Sequence, residues 1–218
     1  MAKKKNITNQ DIIGYYMEYV LTHDAEPKSV YAFAKHNNFE EAKFYEYFNS
    51  FQALEESVFE VFFENTVSIL HKSEDYKSFD AKNKLLSFYF TFFENLTANR
   101  SYVVYALEHE KNNMKSLRKL AKLKKHFINY IEMLNIETLD LKNEKLDKIR
   151  KRSLKETAWL QLLVTIKFWL EDTSTSFEKT DVFIEKSVRA SFDLINLTPL
   201  HSLIDFGKFL ITEKMHMN

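Results

Sequence analysis

The chain has 218 residues, of which 45% are hydrophobic and 28% are charged, and its 31 basic residues balance its 31 acidic ones. This composition is typical of a globular protein rather than a disordered one. The balanced charge provides no general attraction for nucleic acid or for a membrane surface. Because cysteine is absent, disulfides, thiol catalysis and thiolate metal sites are excluded.

The scarcity of turn-forming residues predicts an all-α fold. Only 2 glycines and 2 prolines are present, and sheets need many turns that use these residues. The longest apolar stretch, residues 158–170, is interrupted by Gln161, Thr165 and Lys167 and is too short to span a bilayer. No apolar stretch typical of a signal peptide follows the basic start. We therefore expect a soluble, cytoplasmic protein.

The first fifty residues predict a basic arm over residues 1–7 and then three short helices. Thr8 can cap a helix that runs to about Thr22. Ser29 can cap the second helix, and Glu40 begins the third. The apolar face of the first helix consists of Ile12, Ile13, Tyr16, Val20 and Leu21.

The stretch Ser29–Leu54 has the pattern of two helices separated by a tight turn. Asn37 and Asn38 interrupt the first helix, and Asn is the non-glycine residue best suited to a positive φ. A helix, a short turn and a second helix form the unit that places a helix in a groove of DNA. Spacing alone favours a plainer interpretation, because any all-helical protein contains short adjacent helices.

Ser50 begins a long predicted helix to about His71, which we interpret as a connector between a small head and a larger body. A polar loop is predicted over Lys72–Asp80. The helix predicted over Lys84–Leu96 is apolar nearly all round and should lie inside a bundle. Its phenylalanines either fill the core or line an apolar cavity.

The remaining body is predicted to contain four more helices before a final one. A short helix over Arg100–Glu110 precedes an amphipathic helix over Asn112–Leu134. The latter is expected to direct Leu117, Leu120, Leu123, Phe127, Ile131 and Leu134 inward and Lys115, Lys119, Lys122 and Lys125 outward, as a solvated face.

The C-terminal part is predicted to contain the longest helix, over Lys145–Asp172. Its second half is apolar on both sides, so this helix either lies centrally or contacts a second subunit. After a capping turn, an amphipathic helix runs over Phe177–Leu197, and Pro199 opens a final helix to about Ile211. The apolar face of the amphipathic helix consists of Val182, Ile184, Val188, Phe192 and Ile195.

No motif in the chain indicates catalysis. Paired carboxylates such as Glu40–Glu41 and Glu55–Glu56 have no Ser, His or Lys beside them in a catalytic pattern and are interpreted as surface charge. The histidines form no His-x-x-x-His pair, the single Glu-x-x-His pattern (Glu213 to His216) has no second such pair to complete a helical metal site, and there is no glycine-rich phosphate loop. The sequence therefore predicts a protein that is not an enzyme and that needs no metal and no cofactor.

Two stretches carry a resemblance to a known family. The head combines a Ser29 cap, Ala34, an Asn38-Phe39 turn, Tyr45-x-x-Phe48 and a closing Leu54. Near the other end, residues 168–188 read FWLEDTSTSFEKTDVFIEKSV. Both stretches are similar to the corresponding parts of the TetR family of bacterial transcription regulators. The resemblance covers both ends of the chain, and the middle matches only in being helical.

The resemblance implies a three-helix helix-turn-helix head over 1–49 and an effector-binding and dimerisation domain over 50–218. It implies a homodimer that binds double-stranded DNA, does not associate with membranes and responds to an apolar small molecule. The implied DNA-binding residues are Ser29, Glu41, Lys43, Tyr45 and Tyr47. The implied ligand-binding residues are Phe88, Phe92, Tyr105, Phe127 and Trp159. The implied dimer interface contains Leu162, Trp169, Ile184, Val188 and Phe192.

Departures from the family pattern keep a second function open. Asn38 replaces the usual turn glycine, Glu40 the usual serine, and Phe51 a lysine that often binds phosphate. Residues 1–50 contain six lysines and seven carboxylates, and a net charge of −1 suits DNA poorly. The alternative is a TetR-like protein that has lost DNA binding and binds a lipid-like molecule. A third possibility is a helical interaction protein with neither activity.

Overall fold

A computed structural model describes residues 7–108, 113–136 and 144–196, and all the regular structure in these ranges is helical. The helices are α1 Asn9–His23, α2 Val30–His36, α3 Glu41–Tyr45, α4 Phe51–Lys72, α5 Glu74–Ser78, α6 Ala81–Ala98, α7 Arg100–Glu108, α8 Asn113–Lys119, α9 Ala121–Met133, α10 Glu144–Glu171 and α11 Glu178–Asn196. The predicted all-α fold is confirmed. The predicted final helix after Pro199, and all of the basic arm except Ile7, lie outside the described residues.

Three of the predicted helix starts are confirmed by side-chain caps. Thr8, Ser29 and Ser50 each accept a hydrogen bond from the backbone N–H three residues later, at oxygen–nitrogen distances of 3.1–3.2 Å. Such a bond satisfies an N–H group that the first turn of a helix leaves without a partner. At α1 the Asp11 carboxylate also accepts from the Thr8 backbone N–H at 2.9 Å, which completes a capping box.

Two predictions about helix boundaries are wrong. The polar stretch between α4 and α6 contains the short helix α5 instead of a loop throughout. The single helix predicted over Asn112–Leu134 is two helices, α8 and α9, which meet at Leu120. Because the chain turns there, the inward face of α8 carries Ser116 and Lys119, and Leu117 is 46% exposed. The helical spacing of apolar residues continues across Leu120, so the residue pattern does not reveal the break there.

The chain divides into two compact units. One comprises Met1–Ser73 with Thr91–Tyr130, and the other comprises Glu74–Phe90 with Ile131–Asn218. The head and the connector helix α4 therefore belong to the same unit as α7 and α8. The predicted division at residue 49, between a DNA-binding head and an effector-binding and dimerisation domain, stays a prediction. No helix among the described residues is long and apolar enough to cross a membrane.

The core of the first unit begins with an aromatic cluster in the head. Phe33 of α2 and Phe44 of α3 are fully buried. The ring of Phe51, at the start of α4, stacks on Tyr16 at 5.6 Å between centroids and meets Phe33 and Phe44 edge to face at 5.6 and 5.3 Å. Phe51 therefore packs the head onto the connector. This packing role accounts for an aromatic ring where a phosphate-binding lysine was expected.

The second unit is built on the hairpin of α10 and α11. Leu162 and Trp169 of α10 and Ile184 and Val188 of α11 are fully buried. On one flank of the hairpin the ring of Phe168 stacks on that of Phe183 at 4.6 Å. Gln161 bonds to Ser187 and Ser191 at 3.2 and 3.0 Å. The predicted inward position of Val182 is wrong, because this side chain is 49% exposed.

Asp172 holds the turn between these two helices. Its carboxylate accepts four hydrogen bonds, two from Ser174 and two from Thr180, at 2.7–2.9 Å. Burial opposes ionisation of this group, but the bonds from Ser174 and Thr180 outweigh it and lower the pKa of Asp172 to about 2. The turn also contains Ser176 and Phe177 at positive φ of 53° and 61°. Hydrogen bonds to one carboxylate therefore stabilise an unfavourable backbone conformation.

We expect Asp172→Asn to destabilise the protein by about 1–2 kcal/mol near neutral pH, because an amide cannot accept all four bonds. The pKa of Asp172 is lower in the folded protein than its ordinary value of 3.8. The stabilisation is therefore complete above that value and is lost as the pH falls through about 2. In urea unfolding at several pH values, the difference in free energy of unfolding between the wild type and the variant should shrink as the pH falls through this range.

Asp181→Asn is the matched control. Burial and the nearby carboxylates of Asp172 and Glu178 raise the pKa of Asp181, so its charge contributes no comparable stability. A variant at Asp172 that unfolds like the control at every pH would contradict the assigned role.

Candidate functional site

The head contains a helix, a tight turn and a second helix. α2 ends at His36, and the Asn37 backbone N–H bonds to the Phe33 carbonyl at 3.1 Å. Asn38 has a φ of 56°, as its predicted place in the turn requires. The Phe39 N–H then bonds back to the Ala34 carbonyl at 3.0 Å. This closed turn sets the direction in which α3 leaves α2.

The candidate DNA-contacting side chains differ in exposure. Tyr45 is 54% and Tyr47 is 41% exposed, whereas Glu41 and Lys43 are half-buried. Ser29 is exposed, and its hydroxyl oxygen caps α2, which leaves the hydroxyl hydrogen able to donate to a further acceptor. The Tyr47 hydroxyl donates to the Ile7 carbonyl at 3.4 Å.

Lys43 is held by its neighbours within the head. Its ammonium lies 2.6 Å from the Glu46 carboxylate and 5.2 Å from the centroid of the Tyr47 ring. The hydrogen bond to Glu46 raises the pKa of Lys43. The only lysine on α3 is thus partly neutralised by a carboxylate that follows the same helix, and binding a phosphate would require it to leave that partner.

A buried polar cluster ties α1, α4 and α8 together. The Glu55 carboxylate on α4 accepts a hydrogen bond from the Tyr16 hydroxyl at 3.1 Å and lies 2.9 Å from the Lys119 ammonium. The side chains of Glu55 and Lys119 are each only 7% exposed. Burial raises the pKa of Glu55, and Lys119 opposes that rise. The interpretation of both residues as solvated surface charge is wrong.

A second acid–base contact follows along α4. The Glu60 carboxylate lies 2.9 Å from both the Lys122 ammonium and His126 Nε2, and Lys122 also donates to the Ser57 hydroxyl at 2.7 Å. Burial opposes ionisation of Glu60, but the bonds from Lys122 and His126 outweigh it and lower its pKa. The basic run that was interpreted as solvated therefore includes bases that bind α4.

The sequence contains one signal for this cluster. Glu55 follows Leu54 and precedes Val58 by three residues, so it lies on the apolar face of the connector. A carboxylate on such a face indicates a buried partner, because an isolated buried charge is costly. Nothing in the residue order shows that the partner is Lys119.

An open groove lies between α1 and α7, with a volume of about 410 Å³. We call it the α1–α7 groove. It is lined by Val20, Leu21, Asp24, Ser101, Val104, Tyr105 and Glu108. Of the predicted ligand-binding residues, Tyr105 is part of this lining. Phe88, Phe92 and Phe127 are fully buried and Trp159 is 8% exposed, and none of these four lines the groove. An apolar site in the body stays a prediction.

The predicted interface residues lie mostly inside a single chain. Leu162, Trp169, Ile184 and Val188 are fully buried in the α10–α11 unit, and Phe192 is half-buried. The exposed apolar side chains of the two helices include Leu160, Val164 and Leu194, which are 59%, 47% and 56% exposed.

Within the described residues, these elements are all helical, with two short N-terminal helices, α2 and α3, joined by a tight turn. A family model described as tetracyclin repressor-like, C-terminal domain, matches residues 84–210, which is more than half of the chain. The protein therefore belongs to the TetR family of regulators. The α2–turn–α3 stretch lies outside the matched span. No curated protein matches the chain.

We expect Lys119→Met to destabilise the protein by about 3–5 kcal/mol, because it leaves Glu55 buried without a counter-charge. Glu55→Gln should also destabilise, because it leaves Lys119 unpaired. The double variant should be within about 1 kcal/mol of the wild type, since no buried charge remains. Urea unfolding of the four proteins gives the coupling energy.

Lys125→Met, at an exposed lysine on α9, is the control and should change stability by less than about 0.5 kcal/mol. Strictly additive effects of the two single substitutions would show that the ion pair is not the source of the stability.

Proposed function

We propose that this protein is a dimeric TetR-family transcription regulator that binds double-stranded DNA with its head and responds to an apolar small molecule. The observation that carries the proposal is the α2–turn–α3 arrangement, closed at Asn38, in a chain whose C-terminal part matches the family model. In such a unit the second helix enters the major groove.

The exposed side chains of the head support particular contacts. Tyr45 and Ser29 carry hydroxyl groups that can donate to phosphate oxygens. Glu41, at the start of α3, can accept from the N4 amino group of cytosine. The Lys43 ammonium would leave the Glu46 carboxylate and bind a phosphate instead. Because few positive charges are available, we expect weak binding that depends on low salt.

An apolar effector in the body is the second part of the proposal. The phenylalanine-rich interior of the body is chemically suited to an apolar molecule. A ligand that favours one arrangement of the helices would alter the spacing of the two heads in a dimer, so that both no longer fit successive grooves. The Glu55 cluster supports such coupling, because it joins the head helix α1 to α8 through α4.

The subunit interface is the third part. Leu160, Val164 and Phe168 follow one another on α10 at helical spacing, on the flank where Phe168 meets Phe183. On α11, Leu194 lies one turn beyond Ser191, which bonds to Gln161 of α10, and we assign Leu194 to the same apolar flank. We propose that this stripe packs against its counterpart in a second subunit. The buried Leu162, Trp169, Ile184 and Val188 would support it by holding the two helices together, with Phe192 near the end of α11.

A second candidate function is the same fold without DNA binding, as a carrier of a lipid-like molecule. The specific observations in its favour are the Lys43–Glu46 ion pair and the use of Phe51 for packing. Both reduce the number of groups in the head that can neutralise phosphate.

DNA binding is tested by selecting genomic fragments on the purified protein at low salt. We expect Glu46→Gln to strengthen binding of a selected fragment about tenfold and to steepen its salt dependence by about one phosphate contact, because Lys43 is released. Glu18→Gln, at an exposed carboxylate of α1, makes the same charge change away from α3 and should have a smaller effect. Retention of no fragment by either the wild type or Glu46→Gln would reject the first function. Native mass spectrometry for a co-purifying apolar molecule would then test the second.

The interface is tested with Val164→Asp, which should convert the dimer to a monomer that keeps its helical circular dichroism, because a charge in an apolar interface is unpaired. Val182→Asp is the matched control, since Val182 is exposed to a similar extent, 49% against 47%, but does not lie on the stripe. Light scattering after size-exclusion chromatography gives the mass. Equal behaviour of the two variants would refute the placement.

A further inference from the structure

Two histidines lie side by side where the first two helices of the head end. His23 is the last residue of α1 and His36 is the last residue of α2. Their ring centroids are 5.6 Å apart, and the ring planes make an angle of 82°. Both side chains are exposed to solvent. The fold thus brings together, at an accessible place, two imidazoles from separate helices.

Tyr19 of α1 orients both rings. Its own ring stacks on that of His23 at 4.1 Å and meets that of His36 edge to face at 5.5 Å. It also packs edge to face against the fully buried Phe33 at 6.2 Å, which anchors it to the core of the head. The two histidines are therefore held in place by a shared aromatic neighbour.

The hydrogen bonding of the pair leaves ring nitrogens available. His23 Nδ1 lies 2.9 Å from the backbone carbonyl oxygen of Tyr19. A carbonyl oxygen only accepts, so Nδ1 carries the proton and the lone pair of the neutral ring lies on Nε2. Histidines that bind a metal commonly donate their other N–H in this way. The His36 ring forms no hydrogen bond within the described part of the chain.

The separation of the rings fits a shared metal ion. Two imidazoles that bind one ion at nitrogen–metal distances of about 2.0–2.1 Å have ring centroids about 5–6 Å apart. The observed 5.6 Å lies in this range. The negative end of the α1 dipole, which lies at His23, also favours a cation. No group of three or more His, Asp or Glu side chains in the described ranges could hold a metal ion, so solvent would complete the coordination.

We propose that His23 and His36 together bind one divalent transition-metal ion, of the copper, nickel and zinc class. Imidazole nitrogen suits these ions, whereas Mg²⁺ prefers oxygen ligands. The pair binds an ion more tightly than one histidine does, because the second nitrogen attaches at a high effective concentration. The bound ion links the end of α1 to the end of α2. This site does not depend on whether the head binds DNA, since metal binding is measured on the free protein.

The site is tested by isothermal titration of the full-length protein, without a polyhistidine tag, with Cu²⁺, Zn²⁺ and Mg²⁺. We expect Cu²⁺ to bind more tightly than Zn²⁺, following the general order of divalent affinities, and Mg²⁺ not to bind. Substoichiometric Cu²⁺, which is paramagnetic, should broaden the NMR signals of the His23 and His36 rings before those of the other histidines.

His23→Gln and His36→Gln should each weaken Cu²⁺ binding about tenfold or more, because either change removes the second ligand. The double variant should bind little more weakly than either single variant, since one substitution already destroys a shared site. His71→Gln, at an exposed histidine of α4, is the matched control and should bind Cu²⁺ like the wild type. Circular dichroism checks that each variant keeps its helices.

Equal Cu²⁺ binding by the wild type and the double variant would overturn the proposal, as would broadening that begins at other histidines. Additive losses from the two single substitutions would indicate two separate weak sites and would overturn it equally. The broadening experiment uses the wild type, so it gives an answer even where a variant does not fold. None of these results bears on the DNA selection, so failure of this site and failure of the proposed regulator are separate outcomes.

Discussion

A single buried carboxylate constrains the arrangement of the first unit. Glu55 is buried, so it requires partners that compensate for its loss of hydration. Tyr16 from α1 and Lys119 from α8 are those partners. Because hydrogen bonds and ion pairs are directional, this cluster specifies how the three helices meet more closely than apolar packing alone does. Any relative movement of α1, α4 and α8 must either break these bonds or move the three helices together.

Contacts within the chain also explain why the head has few groups that can bind phosphate. Phe51 joins Phe33 and Phe44 in the aromatic cluster that seats the head on α4, and so it fills a position that phosphate recognition would use differently. Lys43 is bound to Glu46. The two helices and the turn are thus packed firmly on α4, while few positive charges near α3 are available to attract DNA. The proposed DNA binding would therefore rely on low salt, on hydroxyl contacts and on exchange of the Lys43–Glu46 ion pair.

Each of the two units has its own exposed apolar surface, and the two surfaces differ in their charged groups. The α1–α7 groove combines apolar side chains with two carboxylates, whereas the flank of α10 and α11 at Val164 and Phe168 is apolar. The family resemblance predicted that buried residues of α10 and α11 form a subunit interface, but apolar periodicity does not distinguish a position that its own chain covers from one that a second chain covers. Trp169 and Val188 are covered by the chain itself. The exposed Val164 is the position that a second chain can cover.

Much of this fold was predictable from the sequence, because helix caps and turns depend on interactions between residues close together in the chain. Thr8, Ser29 and Ser50 act as caps, and Asn38 adopts a positive φ, because these features depend on a few neighbouring residues. The all-α class follows from composition for the same reason. Only the tertiary structure decided that Lys119 is buried and that Leu117 is exposed, since each depends on residues more than fifty positions away or on a break between helices. The pairing of Glu55 with Lys119 was equally unpredictable, because a sequence does not show which opposite charge lies next to a given charged residue. Long-range contacts decide which face of a helix is exposed to solvent.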